Sequence, residues 1–359
     1  AAITTGGSNV AIGVSSLDAL TAGGDNVAIG VSSLSAVAVG ETGNIAIGNS
    51  VMASFDEGTS GTIDYNIAIG VSAFSGGDLN TASTTVQDNI AIGRAALNST
   101  GTNAQTGTIA IGTSALTALT GGANNLAIGY QAADALTTGT TNTVVGNSAF
   151  SAASGTESSN VAIGYNAMAD VNHDDADNNV VIGAYAGDEI GANALANSVI
   201  IGYGAVSDVP TSTASGTVAV GKSALAALTD GAKNVAVGYL ALTTTTTGDK
   251  NTAVGYTAAA SLPAGGDKNT AIGYQALVAG NNDSTHDNTC IGHNSGPSVT
   301  SGSGNTCIGS GSDVAAAGVN QTAIGLNCTA VNDDSSVTIG NADVDAVYMA
   351  SDSGATVHC

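Results

Sequence analysis

Few residues in this chain are of a type that does chemistry, and their spacing is more telling than their number. There are four His (His173, His286, His293, His358), four Cys (Cys290, Cys307, Cys328, Cys359), and 28 Asp plus Glu against 5 Lys plus Arg. The run "NHDDADNN" gathers Asp174, Asp175 and Asp177 in one turn. No cofactor is expected; the alternative is Ca²⁺ held by these three, since an oxygen-rich turn can take a hard cation. Neither an EF-hand spacing nor a "GGxGxD" nonapeptide accompanies them, and the competing reading is a solvated turn that keeps an apolar chain soluble. Six of the nine Tyr (Tyr130, Tyr165, Tyr203, Tyr239, Tyr256, Tyr274) directly follow one recurring Gly, where their rings either stack on sugars or stack on each other. No His lies in a nucleophile-elbow pattern and no C-x-x-C occurs; "GTVAVGKS" (216–223) has the GxxxxGK[ST] spacing, but its glycines belong to a pattern that recurs along the whole chain. The expectation is a protein that is not an enzyme.

Composition narrows the class further. The net charge of −23 excludes a nucleic-acid binder. Charged residues are 9% and aromatics 3%, while an ordinary domain carries roughly 25% charged residues. A hydrophobic fraction of 43% argues against disorder, and three Pro without a Gly-X-Y period exclude collagen. No apolar run approaches the ~18 residues of a membrane-spanning helix, so no membrane insertion is expected. An apolar, nearly charge-free chain with 50 Gly in 359 residues points to a repeat.

The repeat is the phrase Asn, β-branched residue, Ala, Ile or Val, Gly. It occurs 19 times, closing on Gly13 first and Gly340 last, mostly at intervals of 17 to 19. The residue before the Gly is Ile or Val in all 19 copies, and the one three before it is Val, Ile, Leu or Thr. Alternation puts both on one face of a strand, and β-branched side chains suit a pleated surface. The Gly ends the strand, and a second apolar column stands four residues on (Leu17, Leu34, Met52, Phe74, Leu97). A unit of ~18 residues cannot bury its own apolar side, whereas stacked units can. The fold expected is an all-β parallel solenoid of about 19 coils over residues 1–340, with 341–359 as a C-terminal transition or cap. At ~4.8 Å per coil it makes a rod of order 90 Å.

Each column then receives a role. Ile128, Ile163, Ile182 and Ile272 represent the expected protomer core. Asn125, Asn142, Asn160, Asn234 and Asn251 represent an amide ladder, pairing with the same residue one coil away or with turn backbone. Ala127, Ala162, Ala219, Ala236, Ala253 and Ala271 represent a small apolar stripe that alternation points away from the Ile face. Such a stripe along a rod marks an interface, so the chain is expected to associate with itself about its long axis, in twos or threes. Cys290 and Cys307 fall in this column in successive coils. Strands ~4.8 Å apart exceed the ~3.8 Å that disulfide Cβ atoms prefer, so these Cys read as small buried hydrophobes.

These residues resemble the head repeats of trimeric autotransporter adhesins, the YadA-like left-handed parallel β-roll. "TAIGLNCTAVNDDSSVTIGN" (322–341) carries the likeness most closely, and "NTAIGYQAL" (269–277) is similar to repeats of phage tail fibres. The resemblance covers roughly 9–341. It implies a left-handed, homotrimeric rod on a cell or virion surface, outside the cell, used for adhesion or host recognition. The partners implied are further copies of the chain and a host-cell receptor or surface glycan. The chain begins in mid-pattern without a Met, which reads as a piece of a longer fibre.

Two long intervals, of 22 and 23 residues, flank Gly70. They insert 53–65 and 75–88, and length that cannot enter a stacked core is expected to leave as loops. Phe55, Tyr65 and Asp78 in these loops are the candidate receptor contacts. Two rival functions remain: a filament of solenoids stacked head to tail, and a ligand- or ice-binding solenoid.

Overall fold

The computed structural model describes residues 6–344 except 37–38, 56–60, 78–83, 100–103, 192–194, 208–213, 263, 281–283 and 331–333. The chain is an all-β parallel solenoid, and no helix occurs among the described residues. It falls into two compact units, Ala1–Lys233 and Asn234–Cys359.

In each unit every repeat phrase is a three-residue strand, such as Val27–Ile29 in the first and Thr252–Val254 in the second. Each strand pairs in parallel with its equivalent one coil away. Ala28 is in register with Ala46, and Ala46 with Ala68; in the second unit Ala253 pairs with Ala271, and Ala271 with Cys290. The backbone ladder runs both ways from each coil: Gly30 N–H donates to Ile12 C=O at 2.8 Å and Val27 N–H to Asn44 C=O at 2.8 Å.

The column Gly stops the strand for two reasons. Gly129 has φ +145°, and a Cβ there would run into the carbonyl oxygen of Gly146. Beyond the Gly the chain turns inward on alternate residues with left-handed backbone. Ser32 and Leu34, two and four past Gly30, have φ 51° and 49°. This conformation costs a non-Gly residue roughly 1–2 kcal/mol. Its amides are nonetheless all used between coils: Ser32 N–H reaches Val14 C=O and Leu34 N–H reaches Val51 C=O, both at 2.9 Å.

The interior corrects the expected core. Ala127 is 0% exposed, while Ile128 beside it is 37% exposed. The same holds along the strands, whose burial runs intermediate, buried, intermediate for Val161–Ile163, Val180–Ile182 and Val235–Val237. Ala162, Ala219, Ala236, Ala253 and Ala271 are the protomer core, fully buried, and Ile163, Ile182 and Ile272 face outward with Ile128. Alternation separates the two faces as expected, but the inside is the small one. The coil is narrow, and its volume is already filled by the turn side chains four residues past each Gly and by a further column three residues later, including Leu20, Leu119 and Leu136.

The long inserts are also not simply loops. Thr62–Asp64, Thr85–Gln87 and Gln105–Thr106 form a second, three-stranded parallel sheet, with Ile63 and Val86 buried. The inserted chain rejoins the solenoid wall before the next repeat strand.

Candidate functional site

The amide ladder is built as a spine inside each unit. Asn142 Nδ2 donates to Asn125 Oδ1 at 3.1 Å and to the turn carbonyl of Glu157 at 2.8 Å, while Asn142 Oδ1 accepts from Asn160 N–H at 3.0 Å. Asn251 N–H donates to Asn234 Oδ1 at 2.8 Å, and Asn234 Nδ2 to Gly248 C=O at 2.7 Å. Both expected pairings are made at once. Where the column holds Ser198, its hydroxyl donates to Ala214 C=O and accepts from Thr217 N–H, at 3.1 and 3.2 Å.

The acidic turn does not converge on a point. Asp174 Oδ1 accepts from Thr156 N–H at 3.4 Å and Asp177 Oδ1 from Ser158 N–H at 2.6 Å, both one coil back, while Asp175 lies 3.9 Å from His173. The first two cap backbone of the neighbouring turn, a use for carboxylates that the sequence reading did not weigh. Among the described residues no group of three or more His, Cys, Asp or Glu lies close enough to hold a metal ion.

Of the candidate receptor contacts, Phe55 is fully buried, with its ring edge-on to Phe74 at 4.8 Å. It is core because, seven residues past Gly48, it stands in the same interior column as Leu20, Leu119 and Leu136. Tyr65 is 58% exposed, with its ring over Gly43, and Asp78 lies outside the described residues. Cys290, Cys307 and Cys328 are free thiols inside the solenoid, and Cys359 is outside the described residues. Cys290 and Cys307 face each other in register; their shared hydrogen bond, then burial, push the Cys290 thiol well above its ordinary pKa.

The Tyr column stacks on itself. In the second unit Tyr239, Tyr256, Tyr274 and His293 form a continuous face-to-face stack with centroid spacings of 5.1, 5.3 and 5.1 Å and interplanar angles of 14°, 8° and 7°. In the first unit Tyr165, Tyr185 and Tyr203 meet edge to face at 5.2 and 5.8 Å.

Beside that second set lies a feature that the sequence reading missed. A surface cavity of about 280 Å³ is lined by Tyr185 and Tyr203, the carboxylates of Asp188 and Glu189, and the hydroxyl residues Ser207 and Ser223. Burial raises the pKa of Asp188 to about 6, with Asp170 and Glu189 adding like-charge repulsion and a hydrogen bond from Asn166 opposing them. The signal was present in the alignment of coils: two residues past the Gly, where other coils carry Asn166, Tyr185 and Ser223, this coil has Gly204.

The continuous feature of both units is the outward Ile/Val face. Ile111, Ile128 and Val145 follow one another in register in the first, and Val254, Ile272, Ile291 and Ile308 in the second. Among the described residues no helix is long and apolar enough to cross a membrane. The fold and these faces define a parallel β-solenoid of stacked coils. No protein-family model matches the sequence, and no curated protein matches it either.

Proposed function

We propose that the chain is a non-enzymatic structural rod of an extracellular attachment device, on a cell or virion surface, that associates as a homotrimer through its outward Ile/Val face. The observation that carries this reading is that face. A solvent-facing strand side is normally polar, yet here each repeat strand carries branched apolar residues or Thr outward, and a contiguous apolar patch of that kind is characteristic of an interface. The face that marks an interface is thus the Ile/Val side of the strand and not the buried Ala side. Three copies closing about one axis would cover it, in line with the resemblance to trimeric adhesin heads. Receptor or glycan contact falls to what the association leaves outside, with Tyr65 on the first insert as the exposed aromatic among the candidates.

The test is sedimentation of the wild type against Ile128→Asp combined with Ile272→Asp. The wild type is expected at three chain masses and the variant at one, with far-UV circular dichroism unchanged, because both side chains point out of the coil. A variant that keeps the wild-type mass would refute association through this face.

A further inference from the structure

We infer that the notch at Gly204 is a binding site for a primary ammonium group on an unbranched alkyl stem. Asn166, Tyr185, Gly204 and Ser223 occupy one column in four successive coils, with φ of 51°, 57°, 56° and 52°. The backbone therefore does not need Gly here, since its neighbours adopt the same conformation with side chains. Nor does packing exclude a side chain, because a Cβ on Gly204 would meet nothing closer than Ser207 Oγ at 3.5 Å. What Gly204 supplies is empty space, one coil deep, between the Tyr185 ring and Ser223.

The walls select the ligand. Tyr203 stands edge-to-face with Tyr185 at 5.8 Å and already receives one ammonium, Lys222 Nζ, 5.7 Å from its ring centroid. A tyrosine face attracts cations through its quadrupole. Asp188 and Glu189 add carboxylate oxygens, and Ser207 already spends its proton on Gly204 C=O at 3.1 Å, leaving lone pairs. The lining is thus rich in acceptors and π-faces. An alkylammonium, with three donors and no acceptor, fits that set. The charged and titratable groups around Asp188 are Asp170, Glu189 and Tyr185, with Lys222 across at Tyr203. A bound cation would relieve the repulsion among the carboxylates. Because Asp188 titrates near 6, its negative charge is complete above that pH and lost below it, so binding should be present at pH 7.5 and weaken on passing to pH 5.

The experiment is calorimetric titration of the full chain with cadaverine, with Nα-acetyl-lysine amide, and with 1,5-pentanediol as the neutral isostere. One saturable equivalent per chain is expected for an ammonium ligand and none for the diol. Cadaverine binding without the lysine derivative would assign a free diamine, and the reverse a lysine side chain. Asp188→Asn should weaken binding at least tenfold, and Gly204→Tyr, a residue the column already accepts at Tyr185, should abolish it with no change in melting temperature. Asp25→Asn, an exposed acid elsewhere, should leave it intact. If Gly204→Tyr does not fold, Asp188→Asn carries the test. Several loose equivalents that Asp188→Asn does not alter would reduce the binding to general attraction by a chain of charge −23 and overturn the proposal, as would equal binding of the diol.

Discussion

Replacing Asn142 tests the amide spine atom by atom. The side chain is 1% exposed, so nothing it abandons is picked up by water. In Asn142→Ala, the N–H of Asn160 loses its acceptor at 3.0 Å and the carbonyl of Glu157 its donor at 2.8 Å, whereas Asn125 Oδ1 keeps the backbone N–H of residue 142 at 2.9 Å. Leaving a buried polar group unpaired costs about 1–3 kcal/mol, so two together give about 2–6 kcal/mol. Asn142→Ser should cost only about 1 kcal/mol, the net worth of one hydrogen bond, because Ser198 shows that a hydroxyl can serve both the carbonyl and the amide. Asn142→Asp should cost about 3–5 kcal/mol: one oxygen still accepts from Asn160, but the other is turned towards Glu157 C=O and Asn125 Oδ1, and the charge is buried. The assay is urea unfolding, where Asn142→Ser should lie nearest wild type, with hydrogen exchange at the Asn160 amide, which should lose more protection in Asn142→Ala than in Asn142→Ser. If Asn142→Ala lies within ~0.5 kcal/mol of wild type, the range of an inconsequential surface change, and the Asn160 amide stays protected, the spine does not hold the coils together.

Gly129→Ala should destabilise the first unit by about 2–6 kcal/mol, summing strain at a positive φ with overpacking; a small melting shift would show that the coils can separate locally to admit a Cβ. Ala127→Leu should cost about 1–3 kcal/mol for methylenes forced into a filled interior, while Ile128→Leu on the outer face should lie within ~0.5 kcal/mol. Equal effects in denaturant titrations would contradict the assignment of inside and outside.

Much of the fold was legible because each coil repeats the same physical problem. A residue type forced by backbone geometry must recur at every coil, which is why the terminal Gly and the Asn spine could be read directly from the phrase. The strand between them was equally plain from its β-branched flanks. The second sheet was not legible: "TID", "TVQ" and "QT", at 62–64, 85–87 and 105–106, share no phrase, and their pairing depends on the inserts returning to the wall. The cavity at Gly204 escaped because it is made by a missing side chain, and among 50 Gly one more carries no mark until the coils are aligned by position after the repeat Gly.

The orientation of the strand failed for a different reason. Both of its faces are apolar, so polarity could not choose between them, and the choice rests on volume. A closed coil must match its strand side chain to those arriving from the turn, large against small. Where the middle residue is Ala110, the turn brings Leu116; where it grows to Val181, the turn residue shrinks to Gly187. A Cβ on Gly187 would meet Val181 Cγ1 at 3.5 Å and Ile200 Cδ1 at 3.8 Å, so these positions do face one another across the interior. Cys290 repeats the exchange, since its sulfur occupies the space a side chain on Gly296 would need. Val144 shares its coil with the large Phe150, and there the position three residues on is the small Ala153, where the preceding coil has Leu136. This compensation between columns runs within one sequence and needs no relatives. It identifies the middle residue as the inward one, and it leaves the Ile and Val on either side of it to whatever covers the outside of the solenoid.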